Sequence, residues 1–264
     1  MAERKIMNNI IFLTDFGISD PYIGVMKGII KSINPIAEFI DLTNNVLPQN
    51  IIQAQYILET SYRYFPKNSI FLAVIDPTVG SDRKIILVET EDYKFLAPDN
   101  GLLTPIIKNE KCCITSIQNN KYFLDNISNT FHGRDIFAPA SAYLSKGISS
   151  KLMGENLTKD SVVYLDFKPQ YANNIIHGNI IHIDKFGNCI SNISKNEKIL
   201  RSSIQIKIAD LILNKIHNTY ADVKLNTCLA YWGSTDRIEL SINSGNFAQY
   251  YNISINQEVI LGNE

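Results

Sequence analysis

The chain has 264 residues, of which 45% are apolar and 19% charged, and its formal net charge is −1. This length allows one large or two moderate hydrophobic cores. The near-neutral charge gives no basic field for nucleic acid and no polybasic segment for anionic lipid, so a small-molecule ligand is favoured over either partner. The first apolar run, residues 10–13, is too short for a signal segment or a membrane span, which predicts a cytoplasmic protein.

The first half of the chain alternates between predicted strands and predicted helices. Apolar residues at helical spacing predict helices over residues 21–34, 50–65 and 136–146, with Gly147 capping the last. Short apolar runs predict strands over residues 10–13, 39–42, 70–75, 85–89 and 93–97. A β-α-β-α-β series implies a mostly parallel sheet with right-handed crossovers. Residues 8–167 are therefore predicted to form an α/β domain.

The sequence texture changes after Pro169. From Ile175 onward the apolar runs are short, β-branched and closely spaced, and no clear helical period remains. These features predict a smaller all-β domain, barrel-like or a sandwich, over residues 174–264. The segment 166–174, with one proline and two asparagines, is the predicted linker.

Polar residues follow several of the predicted strands of the first domain. Asp15, Asp76 and Asp99 each come after a short apolar run and are accompanied by glycines. In open α/β sheets, ligands bind in the crevice beyond the carboxyl ends of the strands. A further segment, residues 130–135, places His132 next to an arginine and an aspartate just ahead of an apolar helix. These positions together predict a ligand site.

Several kinds of chemistry are compatible with these residues taken alone. Carboxylates and an imidazole suit a divalent metal, but their spacing matches no metal signature. Individual aspartates also cap turns. There is no G-x-S-x-G element for a serine nucleophile. The cysteines form no C-x-x-C pair, so we expect reduced structural thiols rather than a zinc site or disulfides: Cys112, Cys113, Cys189 and Cys228.

Longer motifs occur in a fixed order along the chain. They are T-D-F-G at 14–17, D-P-Y-I-G-V-M-K-G at 20–28, D-L-T at 41–43, D-P-T-V-G at 76–80 with Arg83, P-D-N-G-L-L at 98–103, T-F-H-G-R-D at 130–135 and D-K-F-G-N at 184–188. From about Asn9 to Gly262, the chain resembles the S-adenosylmethionine hydrolases that form adenosine. These are the SAM hydroxide adenosyltransferase family, in the superfamily of the fluorinase and chlorinase.

The resemblance implies a fold, an assembly and a reaction. The fold is an N-terminal α/β domain and a barrel-like C-terminal domain joined by a linker, and the assembly is a homotrimer with each site between neighbouring subunits. The implied reaction is the hydrolysis of S-adenosyl-L-methionine to adenosine and L-methionine, through attack of water on ribose C5′, with no metal or organic cofactor. Alternatives are a halide-using enzyme, a non-catalytic adenosine or S-adenosylmethionine binding protein, and a metal-dependent hydrolase.

The resemblance also implies three catalytic residues. Asp76, Arg83 and His132 match the triad assigned to the water nucleophile of the hydrolases. The sulfonium of the substrate is already an excellent leaving group, so what the reaction lacks is a competent nucleophile. A bidentate contact from Arg83 would fix Asp76. A carboxylate at this position repels a halide, which favours water over chloride or fluoride.

The remaining matches are to substrate-binding positions. Asp15 matches the residue that accepts hydrogen bonds from both ribose hydroxyls, while Asp20 and Asp184 match residues near the methionine ammonium. Asn188 matches an adenine contact. Ser234, Asn243 and Ser244 match family segments that contact the methionine carboxylate and the edge of the adenine.

The chain departs from the family pattern at two places. Thr78 stands where the family usually has glycine, and we expect it to narrow the pocket beside the nucleophile. Asn44 stands where a histidine commonly follows D-L-T, outside the matched triad.

Overall fold

The computed structural model describes residues 9–173, 175–196 and 204–262. These residues fall into two compact units that divide between Asp166 and Phe167. The predicted domain bounds at residues 8, 174 and 264 lie outside the described residues.

The first unit is built on a mixed sheet. Its strands are β1 (Asn9–Thr14), β2 (Glu38–Thr43), β3 (Ile70–Val74), β4 (Ile85–Glu89), β5 (Lys94–Pro98), β6 (Cys113–Ile117) and β7 (Gly154–Leu157). Within residues 9–166 they lie in the order β2-β1-β3-β5-β4-β6-β7. The pairs β1 with β2, β1 with β3 and β3 with β5 are parallel. The pairs from β5 to β7 are antiparallel.

The prediction of a mostly parallel sheet is therefore correct only for the half that contains β1, β2, β3 and β5. Strands β4 and β5 are consecutive and joined by a four-residue turn, and so short a connection only allows antiparallel neighbours. Strands β6 and β7 then extend the antiparallel half. Neither was predicted from sequence, because their apolar runs are short.

Helices cover both faces of this sheet. They are α1 (Tyr22–Ile33), α2 (Ile51–Ser61), α3 (Thr104–Asn109) and α4 (Ala138–Ser145), the last preceded by one π-helical turn at Gly133–Phe137. Alternate residues of β1 enter different cores: Phe12 packs with α1 and α4, whereas Leu13 packs with α2 and α3. Burial on both faces explains the continuous apolar runs of the central strands.

The register of β1 and β3 places the candidate residues at one edge of the sheet. Thr14 at the end of β1 is paired with Val74 at the end of β3. Both strands point the same way, so the residues that follow them, Asp15 and Asp76, leave the sheet at the same edge. The π-helical turn at 133–137 begins directly after His132 and contacts α1.

The second unit is a nearly closed, barrel-like sheet. Its strands are β8 (Gln170–Ala172), β9 (Ile175–Ile183), β10 (Cys189–Ser194), β11 (Gln205–Ile208), β12 (Leu211–Leu213), β13 (Ile216–His217), β14 (Cys228–Trp232), β15 (Arg237–Ile242) and β16 (Glu258–Gly262). Among the described residues the order is β12-β11-β16-β9-β10-β15-β14-β13, with β8 on β9. The segment predicted as a linker thus contributes strand β8.

One short helix, α5 (Phe247–Tyr250), belongs to this unit and was not predicted. The Asn246 side chain caps it by accepting a hydrogen bond from the backbone N–H of Gln249 at 2.7 Å. Four residues are too few to show a helical period, so only this cap could have indicated it. Phe247 is fully buried and anchors α5 in the barrel core.

The four cysteines are free thiols, as predicted. In the part of the chain that the structure describes, no helix has the length and apolar character needed to cross a bilayer.

Candidate active site

An ion pair between Asp76 and Arg83 lies at the end of β3. The Arg83 Nε atom is 2.8 Å from each carboxylate oxygen of Asp76, and Nη2 also donates to Oδ2. The two side chains are only 6% and 7% exposed, so solvent screens this contact little. A planar guanidinium held by two of its nitrogens fixes the orientation of the carboxylate.

The same guanidinium also contacts His132. Its Nη2 atom lies 2.9 Å from His132 Nδ1. A guanidinium can only donate hydrogen bonds, so Nδ1 must accept, and the neutral imidazole carries its proton on Nε2. Burial and the positive charge of Arg83 lower the pKa of His132, against the opposing effects of Asp76 and Asp135. His132 is therefore a neutral imidazole with an Nε2–H donor.

A cavity of about 390 Å³ opens beside this trio. One wall is aromatic, because Phe16, Tyr22 and Phe131 lie with ring centroids 5.2 to 6.0 Å apart. Asp76 and His132 line the cavity as well. The space also depends on Gly133, where an added Cβ would lie 3.2 Å from Phe131 and 3.3 Å from Phe16. The arrangement is an apolar pocket with a few convergent polar groups.

Sequence reasoning assigned no role to these three aromatic residues. All three lie inside the motifs at 14–17, 20–28 and 130–135, and this position was the one sequence feature that could have indicated a role in the site. Their mutual packing required the structure, because Phe131 is more than a hundred residues from Phe16.

Asp15 occupies the turn after β1. Its Oδ2 accepts a hydrogen bond from the backbone N–H of Gln49 at 2.8 Å. Burial, together with the nearby negative charge of Asp76, raises the pKa of Asp15 against the hydrogen bond from Gln49. The backbone N–H of Asp15 also hydrogen-bonds to its own carboxylate and acts to lower this pKa.

The two departures from the family pattern have different surroundings. Asn44 is buried: its side-chain oxygen accepts from the Thr14 hydroxyl at 2.9 Å, and its backbone carbonyl accepts from the Gly17 N–H at 2.7 Å. Asn44 thus supports the turn that carries Asp15. Thr78 is exposed, and its hydroxyl lies 3.5 Å from Asp76 Oδ1, at the limit of a hydrogen bond.

Arg134 and Asp135 support the segment that carries His132. Asp135 is fully buried and accepts hydrogen bonds from Arg134 Nε at 2.6 Å and from the Ser128 N–H at 2.8 Å. Burial acts to raise the pKa of Asp135, but these donors outweigh it and the pKa lies below its usual value. Asp135 therefore holds the loop before His132 in place.

Two further aspartates singled out in the sequence, Asp99 and Asp20, do not line the cavity beside His132. Asp99 is buried and accepts a hydrogen bond from the Val163 N–H at 2.8 Å, while Asp20 is exposed on the surface. Within residues 9–173, 175–196 and 204–262, no three histidine, cysteine or acidic side chains lie close enough together to hold a metal ion.

In the second unit, the turn at 184–188 is held by Asp184. Its Oδ1 accepts from the backbone N–H groups of Phe186 and Asn188, both at 2.9 Å, and its Oδ2 accepts from Asn188 Nδ2 at 2.7 Å. Gly187 has a φ of +86°, and a Cβ there would lie 2.0 Å from the Asn246 side-chain oxygen. On this turn Phe186 is 75% exposed.

A second cavity, of about 830 Å³, lies beside this turn within the same unit. Four of the residues predicted from sequence line it: Asp184, Asn188, Ser234 and Ser244. Asn243 does not, because its Nδ2 donates to the backbone carbonyls of Tyr220 and Val223 at 3.1 and 3.0 Å. Sequence reasoning missed the lining residues Phe186, Tyr220, Tyr231 and Glu239.

The proximity of Arg83 to His132 leads to a test of the site's electrostatics. Replacing Arg83 with Gln removes a positive charge that disfavours protonation, so we expect the pKa of His132 to rise. The protonated imidazole would then persist to higher pH than in the wild-type protein. An NMR titration of the His132 ring proton measures this. Arg63→Gln, at a surface arginine paired with Glu110, should leave the pKa unchanged, and an unchanged or lower pKa in Arg83→Gln would contradict the assignment.

Comparison with known proteins shows what the chain is similar to. A curated protein of Methanocaldococcus jannaschii, named (R)-S-adenosyl-L-methionine hydrolase, is 36% identical over 92% of this chain and 88% of its own length. A solved structure of an uncharacterized conserved protein from Thermotoga maritima superimposes with a TM-score of 0.86 at 34% identity, covering 96% of this chain and 99% of that one. A fluorinase of Nocardia brasiliensis is 24% identical over 92% of this chain and 93% of its own.

Family models match both units. The N-terminal domain model of the SAM hydroxide adenosyltransferases matches residues 10–154, and the C-terminal domain model matches residues 178–260. The first range contains the Asp76, Arg83 and His132 cluster, and the second contains the cavity beside Asp184. The chain belongs to the SAM hydroxide adenosyltransferase family.

Proposed function

We propose that this protein hydrolyses S-adenosyl-L-methionine to adenosine and L-methionine. The observation that carries the proposal is the buried contact of Asp76, Arg83 and His132 at the wall of an aromatic cavity. Relatives that carry the name (R)-S-adenosyl-L-methionine hydrolase support it, at 36% identity for the Methanocaldococcus jannaschii protein.

The reaction is a single displacement at ribose C5′. A water oxygen forms a bond to C5′ while the bond from C5′ to sulfur breaks, and its electron pair returns to sulfur. Methionine leaves as a neutral thioether, so no acid is needed for the leaving group. The water must lose one proton, and a positioned base contributes about 10²–10⁴-fold in reactions of this kind. Holding the water in line with the breaking bond contributes in addition.

The hydrogen-bond directions assign a role to each member of the cluster. Arg83 donates hydrogen bonds to the Asp76 carboxylate and to His132 Nδ1. His132 then presents only an N–H, which can donate to the water oxygen but cannot take its proton. Asp76 is the member with acceptor oxygens left for a water O–H, so it receives the proton. In this proposal Arg83 positions both partners and touches no reacting atom.

Binding of the substrate uses both units. Asp15 accepts hydrogen bonds from the ribose hydroxyls through its carboxylate, part of which is already fixed by Gln49. Asp184, Asn188, Ser234 and Ser244 line the cavity of the second unit and bind the methionine and adenine parts. Asp20 contributes from the surface, next to the ammonium. Asn243 shapes the loop beside this cavity, because its amide is already bonded to backbone carbonyls.

The chemistry requires no metal or organic cofactor. A sulfonium already makes C5′ electrophilic, and the nucleophile is water held by Asp76 and His132. A halide in place of water would meet acceptor oxygens on Asp76, which suit a water O–H and repel an anion. The relatives named fluorinase make halide use the alternative to be tested.

One assay tests the reaction and its alternatives. Purified protein incubated with S-adenosyl-L-methionine in H₂¹⁸O should release adenosine with ¹⁸O at the 5′ position, together with L-methionine, at a rate that EDTA does not change. Mass spectrometry of the products measures this, and Asp76→Asn serves as the low-activity variant.

Each other result supports a different function. Formation of 5′-chloro-5′-deoxyadenosine in chloride buffer would indicate a halogenase. Loss of activity in chelator would indicate a metal-dependent hydrolase. Binding of substrate without any product would indicate a binding protein.

The assembly in this proposal is a homotrimer in which the first unit of one subunit and the second unit of its neighbour share a substrate. Asp76→Asn removes the base, and Ser234→Trp fills the cavity of the second unit at an exposed position. Each variant alone should be inactive. In trimers coexpressed from both variants, a site is intact only when its first unit comes from a Ser234→Trp chain and its second unit from an Asp76→Asn chain. Random assembly of the ring should therefore recover roughly a quarter of wild-type activity. A monomer by sedimentation velocity, or no recovery, would contradict this assembly.

A further inference from the structure

The cavity of the second unit has an unusual charge. Among the described residues that line it, the charged ones are two carboxylates, Asp184 and Glu239, and none is lysine, arginine or histidine. A cavity of this kind favours a cationic group in its ligand. The two carboxylates differ in how many of their hydrogen-bonding positions the protein already uses.

Asp184 is engaged in its own turn, where it accepts three hydrogen bonds from Phe186 and Asn188. Glu239 accepts one: the Tyr231 hydroxyl donates to its Oε2 at 2.6 Å. The described residues show no hydrogen bond to Oε1. Glu239 is therefore the carboxylate with free acceptor capacity.

The position of Glu239 is set by the strands β14 and β15. Tyr231 and Glu239 are direct partners across this antiparallel pair. Gly233, just after β14, leaves the space that the carboxylate occupies, because a Cβ there would lie 1.8 Å from Glu239 Oε1. Any other residue at position 233 would displace the carboxylate.

A chain of hydroxyls orients the contact with Tyr231. The Tyr220 hydroxyl lies 2.6 Å from the Tyr231 oxygen. Since Tyr231 uses its single proton for Glu239, Tyr220 must be the donor. The Ser241 hydroxyl also donates to Tyr231, at 3.3 Å. These bonds all point toward Glu239, which is the direction expected when Glu239 is an acceptor.

We infer that Glu239 recognises the ammonium group on the amino-acid part of the substrate, with Tyr231 as its positioning residue. The inference rests on the proposed function for the identity of the substrate. Burial, and then the charge of Asp184, raise the pKa of Glu239 despite the Tyr231 bond, and a bound cation offsets both effects.

An ammonium fits this environment better than the other groups of the substrate. It combines a positive charge with N–H donors, and a carboxylate with an open oxygen accepts both. The sulfonium carries charge but no N–H. The adenine amine is neutral and lies beside a ring nitrogen whose lone pair would face the carboxylate.

Glu239→Gln tests the inference, since it removes the charge and keeps an oxygen for the Tyr231 hydroxyl. Calorimetry with L-methionine, S-adenosylhomocysteine and adenosine separates the parts of the substrate. We expect about 10- to 100-fold weaker binding of L-methionine and S-adenosylhomocysteine, with adenosine changed by less than about twofold. Tyr231→Phe should weaken the binding of L-methionine and S-adenosylhomocysteine by a smaller factor, again with little change for adenosine. Glu258→Gln, at an exposed glutamate on β16, is the matched control and should change none of the three.

Other outcomes would overturn the inference. Equal weakening of adenosine binding would place Glu239 at the adenine. Unchanged binding of L-methionine in Glu239→Gln, or no binding of it by the wild-type protein, would also overturn it. If the wild-type protein made no adenosine, the proposed reaction would fail, but the calorimetric comparison would still decide what Glu239 recognises.

Discussion

The site depends on one guanidinium that serves two partners. Arg83 donates through Nε to both carboxylate oxygens of Asp76, and its Nη2 donates to His132 Nδ1. These partners come from distant parts of the chain, the end of β3 and the turn before α4. Because a guanidinium only donates, this contact fixes the imidazole tautomer and thereby decides which residue can accept a proton. A lysine could supply the charge but not the planar two-sided contact.

The fold supplies the place where this contact forms. Parallel pairing of β1 with β3 brings the turns that follow Thr14 and Val74 to the same edge of the sheet. The π-helical turn at 133–137 then presents His132 to Arg83, while the buried Asp135 holds the loop before it. Such turns are frequent at functional sites. Aromatic residues from three segments close the pocket, and Gly133 keeps it open.

The sequence predicted part of the fold and part of the candidate site. Long apolar runs identified the central strands, because burial on both faces removes polar residues from them. The antiparallel half of the sheet was missed, because nothing in a strand's own sequence states which neighbour it pairs with. Motif order named Asp76, Arg83 and His132 as candidates. The structure places these three side chains in contact, and their catalytic roles stay predictions.

The second unit shows the opposite case. Asn243 resembled a ligand contact in sequence, yet its amide is bonded to the backbone of a neighbouring loop. Glu239 and Tyr231 gave no signal, because single polar residues in alternating strands are common. Their significance depends on a cross-strand pair and on a glycine that leaves space for a carboxylate. Only the three-dimensional arrangement shows either feature.

The central claim is that water held by Asp76 and His132 displaces methionine in one step. The most direct test uses S-adenosyl-L-methionine carrying one deuterium at C5′ in known configuration, followed by NMR analysis of the adenosine formed. A single in-line attack by water predicts inversion at C5′. Retention would require two displacements, with a side chain such as Asp76 bonded to C5′ in between, and would contradict the account.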